Sequence, residues 1–282
     1  MLEKSTLYVV ATPIGNLSDI SLRALDILAK VNMVAAEHIQ NSKHLLAAHG
    51  IAAKLISLHQ HNESVITSKI IALLAAGESV ALVTDAGTPG ISDPGAIVVK
   101  QVRQQGYTVI PIPGANAAVC AFSAAGISDP HFLFYGFLPT KTGLRKRELT
   151  TLRSLPYPVI FYEAPHRILE CVGDMIDIFG PLRRLTIARE LTKLFETIHA
   201  GTLQEILIWL QADAKRQKGE FVLLLSGAEL PDKSELTAQA KHTLCCLLEE
   251  LSLKQAVKLA AEISGENKNK LYQLALDLKA TE

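Results

Sequence analysis

The residues best placed for chemistry lie in short glycine- and proline-bearing loops that follow apolar runs. The first is Thr12-Pro13-Ile14-Gly15-Asn16, the second Asp85-Ala86-Gly87-Thr88-Pro89-Gly90 and the third Pro113-Gly114-Ala115-Asn116. Leu138-Pro139 and Glu163-Ala164-Pro165-His166 continue the pattern. Glycine lets a ligand approach the backbone closely, and proline stiffens the loop that holds it. In open α/β sheets ligands bind beyond the carboxyl ends of parallel strands, where such loops fall. No G-x-G-x-x-G, G-x-x-x-x-G-K-[ST] or G-x-S-x-G motif occurs, which excludes a dinucleotide fingerprint, a P-loop and a hydrolase elbow. The expected ligand is small, mostly neutral or zwitterionic, and gripped by backbone amides and carbonyls. Histidines gather at His59-Gln60-His61 without carboxylate or cysteine partners at ligand spacing, so no metal is expected.

The elements that must position these loops are legible as alternating strands and helices, the signature of βαβ units. Leu7 to Ala11 and Val80 to Thr84 read as strands buried on both faces. Leu22, Leu25, Leu28 and Val31 recur at helical spacing. Asn62 as cap and Gly77 as terminator bound another helix, and Asp93-Pro94 reads as the N-cap and first turn of a helix closed by Gly106. Tyr107 to Ile112 returns as a strand, and Asn116 leads into a helix through Ala125. Further strands are expected at Phe132–Gly136, Val159–Glu163, Leu185–Arg189 and Phe221–Leu225, with helices near 166–179 and 202–212. The last fifty residues carry no strand signal. Ser252 with Gln255 reads as a capping box, and Ser264-Gly265 as the turn between two helices, either a helix-turn-helix or a plain hairpin. The expected organisation is an α/β domain over 1–115, a second over 116–231 and a helical extension over 232–282.

The 282 residues carry 28 basic and 28 acidic side chains, a balance unlike that of a nonspecific polyanion binder. Lys141, Arg145, Lys146, Arg147 and Arg153 nevertheless fall close together, opposed only by Glu148. This cluster reads either as a solvated helix face or as a nucleic-acid patch. No apolar run reaches the roughly 18 residues of a membrane span, and Met1 to Thr6 show no secretory leader. The four cysteines form no disulfide or zinc pattern, so a reducing, cytoplasmic setting is expected.

Seven segments taken together carry a resemblance: Thr12–Asn16, DAGTPGISDPG from Asp85 to Gly95, PGANAA from Pro113, YGFLP from Tyr135, FYEAPHR from Phe161, ARELTKLFE from Ala188 and GEFVLLL from Gly219. In this order the chain resembles the tetrapyrrole methylase superfamily and, more closely, its ribosomal RNA small subunit methyltransferase I branch, the cytidine-2′-O-methyltransferases. The resemblance implies two α/β domains with S-adenosylmethionine in the cleft between them, a homodimer, and methyl transfer to a cytidine ribose in the decoding region of 16S ribosomal RNA. Carried onto this chain, it implies cofactor contacts from Pro13, Ile14, Asp85, Gly87, Thr88, Asn116, Ala117, Ala118, Ala188 and Phe221.

Transfer from a sulfonium to a hydroxyl needs close positioning and a general base, and no metal. Candidate bases on strand-end loops are Glu37, His38, Glu163 and Glu190. Lys193 and Arg189 are electrostatic partners for phosphates or a developing alkoxide. The alternative for Glu190 and Lys193 is a salt-bridged surface turn. RNA would be gripped by Lys141, Arg145, Lys146, Arg147 and Arg189. A nearly neutral protein would rely on shape and a local patch, so an assembled small ribosomal subunit is the expected partner.

After Ala36 the branch typically reads Glu-Asp-Thr-Arg, whereas this chain reads Glu37-His38-Ile39-Gln40. Glutamine cannot replace the bidentate grip of arginine on phosphate. Two other readings therefore stand beside the leading one: a methyltransferase of the superfamily acting on a small molecule, and an RNA-binding homologue with impaired catalysis.

Overall fold

The computed structural model describes residues 3–59, 62–228 and 236–280. Gln60 and His61 of the histidine run lie outside the described residues. Chain contacts divide the molecule into Met1–Gly227 and Ala228–Glu282.

The larger unit contains two five-stranded sheets. The first is built from β1 (Thr6–Val10), β2 (Met33–Ala36), β3 (Leu55–Ser57), β4 (Val80–Val83) and β5 (Thr108–Ile112), in the order β3-β2-β4-β1-β5 and parallel throughout. Its side chains alternate between two cores. Tyr8, Val10, Val34, Ala36, Ala81 and Val83 pack with α1 (Leu22–Lys30) and α2 (Ile39–Ala48). Leu7, Ala35, Val80 and Leu82 pack with α3 (Glu63–Ala75) and α4 (Ala96–Gln104). Helices on both faces explain why these strands read as unbroken apolar runs.

The second sheet is mixed. It contains β6 (Leu133–Phe137), β7 (Val159–Glu163), β8 (Arg184–Arg189), β9 (Thr197–Thr202) and β10 (Phe221–Leu225), in the order β6-β7-β10-β8-β9. Only β6 and β7 are parallel. One face packs Phe161, Ile187 and Leu223 among residues of α6 (Thr142–Thr151), α7 (Ile168–Phe179) and α8 (Leu203–Gln211). The other packs Ile160, Ala188 and Val222 against Ala118 and Ala121 of α5 (Ala117–Ala124).

The smaller unit forms α9 (Ala238–Glu250), α10 (Leu253–Ser264) and α11 (Lys268–Ala280) around Leu244, Val257, Ala260 and Leu271. Gly265 ends α10 in the left-handed conformation, as the turn reading requires. The capping box at Ser252 is not formed. Its hydroxyl donates to the Gln255 side-chain oxygen at 2.6 Å and accepts no backbone N–H. No described helix is long and apolar enough to cross a membrane.

The start of α4 also differs from expectation. The helix begins at Ala96, after Gly95 at φ 132°, and Asp93 does not cap it. The cap comes from α3 instead: the buried Glu63 carboxylate accepts from the N–H groups of Gly95 (3.0 Å) and Ile97 (3.2 Å). A carboxylate at a helix N-terminus satisfies open donors and complements the helix dipole. Glu63→Ala leaves two donors unsatisfied, so we expect a loss of about 2 kcal/mol and a melting temperature lowered by roughly 4–8 °C. An unchanged melting curve would contradict this cap.

Candidate active site

The three loops first singled out follow β1, β4 and β5, which are adjacent in the first sheet. Backbone hydrogen bonds join them. Thr12 N–H donates to Gly87 O at 2.9 Å, and Gly87 N–H donates to Thr12 O at 3.0 Å. Thr12 Oγ1 donates to Thr84 O at 3.0 Å, and Thr88 Oγ1 donates to Ala115 O at 3.1 Å. Gly87 adopts φ 81°, a conformation that favours glycine. A Cβ on Gly114 would lie 2.8 Å from that of Ala11, so the third loop closes on the first only without a side chain.

The joined loops form one wall of a cavity of about 330 Å³, and the second sheet supplies the other. Ligand sites commonly span roughly 300–1,000 Å³ and are lined by apolar groups with a few fixed polar ones. Of the residues assigned to the cofactor, Ile14, Gly87, Thr88, Asn116, Ala117, Ala188 and Phe221 line the cavity. Pro13, Asp85 and Ala118 do not. Ala118 lies in the core, with its N–H donating to Tyr162 Oη at 3.2 Å. This bond ties α5 to the second sheet.

Asp93 is the residue that sequence reasoning misplaced. It lines the cavity with Ser92, Phe137 and Tyr162. Burial, then the charges of Glu37 and Asp85, raise its carboxyl pKa to about 6. Ser92, immediately before it, is held at φ 67°, a strained conformation for a side-chain-bearing residue. Tyr162 is edge-on to both Phe134 and Phe137, with ring centroids 5.0 and 5.6 Å away. Burial raises its phenol pKa, and the Asp93 charge adds to the rise.

The carboxylates proposed as bases are engaged elsewhere. Glu163 lines the cavity, yet its side chain is wholly buried. It accepts from Ala164 N–H at 2.8 Å and pairs with Arg167, whose guanidinium also donates to Leu138 O and Pro139 O. Glu163 therefore braces the loops after β6 and β7. Glu190 and Lys193 are absent from the cavity wall. The Glu190 carboxylate accepts from Lys193 Nζ (2.8 Å) and Glu220 N–H (3.0 Å). Burial pushes the Glu190 pKa up, but these two donors outweigh it and hold it below the ordinary value. Burial likewise pulls the Lys193 pKa down, and its bonds to Glu190 and Glu220 more than reverse this. The salt-bridged turn is the arrangement present. Glu37 receives the Asp85 N–H at 3.4 Å, outside the cavity lining.

The departure at His38 now has a structural setting. Asp85 Oδ2 receives Asn41 Nδ2 at 2.7 Å and lies 2.7 Å from His38 Nδ1. Glu37, His38 and Asp85 offer one ligand atom each within 4.8 Å of one another. The sequence hid this grouping because 48 positions separate Glu37 from Asp85.

The basic patch on α6 is largely neutralised. Arg145 is fully buried and pairs with Asp174 at 2.6 Å and Glu170 at 2.8 Å. Its position corrects the RNA-binding assignment, because no donor faces solvent. Lys146 pairs with Asp177 at 2.8 Å and Asp174 at 3.4 Å. Lys141 and Arg147 are exposed, with Glu148 4.0 Å from Arg147. Arg189 is likewise engaged: its guanidinium donates to the carbonyls of Phe195, Lys215 and Lys218 and to Thr197 Oγ1.

Residues 6–207 match the tetrapyrrole (corrin/porphyrin) methylases, and residues 234–279 match the RsmI C-terminal HTH domain. The chain is 49% identical over 272 residues to ribosomal RNA small subunit methyltransferase I of Pseudomonas aeruginosa, covering 96% of each chain. It is 46% identical to the protein of that name from Neisseria meningitidis serogroup A, covering 97% of this chain and 94% of the relative. The chain belongs to the ribosomal RNA small subunit methyltransferase I family, within the tetrapyrrole methylases. Among solved structures, the fold is similar to cobalt precorrin-4 methyltransferase (TM-score 0.60, 17% identity, 79% of this chain and 95% of that one). It is also similar to a uroporphyrin-III-C-methyltransferase from Thermus thermophilus (TM-score 0.56, 20% identity, 79% and 94%). These distant neighbours share the family's two-sheet methylase fold.

Asp93 provides a test of the cavity electrostatics. Its folded-state pKa of about 6 lies above the ordinary 3.8, so ionisation opposes folding increasingly as pH rises between those values. Asp93→Asn should therefore stabilise the protein by about 1 kcal/mol at pH 8, a figure discounted for the half-exposed position of the carboxyl. The gain should vanish by pH 4. Thermal melts at the two pH values check this, and a gain independent of pH would contradict it.

Proposed function

We propose that this protein uses S-adenosylmethionine to methylate the 2′-hydroxyl of a cytidine ribose in the decoding region of small-subunit ribosomal RNA. The observation that carries the reading is the convergence of three backbone-joined loops on a cavity that also holds Asp93. The match of residues 234–279 to the RsmI C-terminal domain and the near-full-length similarity to named rRNA methyltransferases support it. The donor set suits a sulfonium cofactor. Gly87, Ala117 and Ala188 leave room for close backbone contact, Ile14 and Phe221 supply apolar surface, and Asp93 adds an acidic group to the lining.

When bound, the cofactor supplies an activated methyl group on a leaving group that departs neutral. The chain's own part is positioning and proton removal. Thr88 and Asn116, beyond the ends of β4 and β5 on either side of β1, would hold the cofactor's polar groups. Phe137, more than half exposed beside the cavity, offers a stacking face for a nucleobase splayed out of its RNA strand. Asp93 takes the proton from the 2′-hydroxyl. A carboxylate with a pKa near 6 is ionised at neutral pH, yet more basic than an ordinary aspartate. The same reading has the protein act in the cytoplasm as a homodimer on the assembled small subunit, without a metal.

The test uses small subunits from a strain lacking the enzyme, with labelled S-adenosylmethionine and mapping of ribose methylation. We expect one cytidine to be modified, with naked RNA oligomers poor substrates. Asp93→Asn should lower kcat by about 10²-fold, and wild-type activity should rise with pH through about 6. Full activity in Asp93→Asn would remove Asp93 as the base. Methylation elsewhere, or none, would overturn the reading.

A further inference from the structure

A shallow groove of about 420 Å³ adjoins the cavity, and Pro165 forms part of both linings. One wall of the groove is Pro165, His166 and Leu169, and the other is Ala214, Gln217 and Lys218. The second wall is a 3-10 turn over Ala214–Gln217 with Lys218 just after it, and several local bonds hold it. Asp213 Oδ1 caps it by accepting Lys215 N–H at 2.8 Å. Arg216 donates to Trp209 O at 3.0 Å and stacks over that indole. Gln217 donates to Leu210 O at 2.9 Å, and the Arg189 guanidinium grips the carbonyls of Lys215 and Lys218. Arg189, Arg216 and Gln217 thus fix the turn, while the exposed Lys218 side chain has no acidic partner among the described residues. His166 faces it across the groove, also exposed and without a charged partner among the described residues.

We propose that this groove is a phosphate subsite, which seats a backbone phosphodiester of the RNA strand beside the nucleotide whose ribose enters the cavity. Lys218 supplies the cation and His166 a ring N–H from the opposite wall. The inference rests on the rRNA reading given above. A ribose inserted into the cavity leaves its flanking phosphates at the rim, and a protein with 28 basic and 28 acidic side chains needs a cation there. Two of the α6 cations, Arg145 and Lys146, are already held by Glu170, Asp174 and Asp177. Arg189 acts as a positioning residue: it holds the turn that presents Lys218.

Steady-state methylation of undermethylated small subunits by the full-length protein tests this, with Lys218→Ala, Lys218→Glu and, as controls, Lys69→Glu on α3 and Lys100→Glu on α4. Lys218→Ala should raise KM for subunits about threefold and Lys218→Glu about tenfold, with kcat within twofold. In Lys218→Ala the slope of log(kcat/KM) against log salt should weaken by about one. The α3 and α4 controls should change KM less than twofold, and S-adenosylmethionine affinity should be unchanged throughout. Wild-type KM and salt slope in the Lys218 variants, or an equal effect in the controls, would overturn the subsite while leaving the rRNA reading intact. Wild-type protein that methylates no subunit RNA would overturn both.

Discussion

The reciprocal backbone bonds between Thr12 and Gly87 are the constraint on which the rest of the site depends. They extend the pairing of β1 and β4 beyond the sheet and oblige two loops to share one geometry. Thr88 then carries the connection to Ala115 in the third loop. Each link has a local cause: Gly87 adopts a φ that side chains disfavour, and Gly114 leaves space that the Ala11 methyl fills. Because β4, β1 and β5 are neighbours, short loops suffice to bring all three to one wall.

The distribution of charge follows a second logic. Most of the polar residues that invite a functional reading serve instead as braces. Arg145 locks α6 to α7 through Asp174, Arg167 holds Glu163 and the Leu138-Pro139 loop, and Lys193 joins Glu190 to Glu220. Removing one partner of such a pair leaves an uncompensated charge, so these residues can be indispensable to the fold without touching substrate. The group left with an unfavourable environment is Asp93, which is half-buried near two other carboxylates and follows a strained Ser92. Strain and electrostatic discomfort of this kind concentrate where chemistry is done.

Much of this was legible in the sequence because its physical causes are local. β1, β4, β7 and β10 are apolar runs buried on both faces, and Asn116 caps its helix as an isolated motif would. β2 and β3 were not read: β2 begins three residues after α1 ends, so its apolar run merges with the helical stripe, and β3 has only three residues. β9 was missed because TIHAGT lies at the sheet edge with half its side chains polar. The misreading of Asp93 had a nonlocal cause. An Asp-Pro pair before an apolar stretch normally signals a helix start, but Glu63 supplies that cap from 32 positions away. The burial of Arg145 was equally hidden, as its partner Asp174 follows 29 residues later.

The most direct measurement of the central claim, that the joined loops enclose the S-adenosylmethionine seat, is calorimetric titration of that cofactor into wild-type protein and Ala117→Phe. Ala117 lines the cavity at the start of α5, where a phenyl ring would fill it. The account predicts one bound cofactor per wild-type chain, and affinity reduced at least tenfold in a variant whose melting temperature is unchanged. Equal affinity in the two proteins would place the cofactor elsewhere and contradict it.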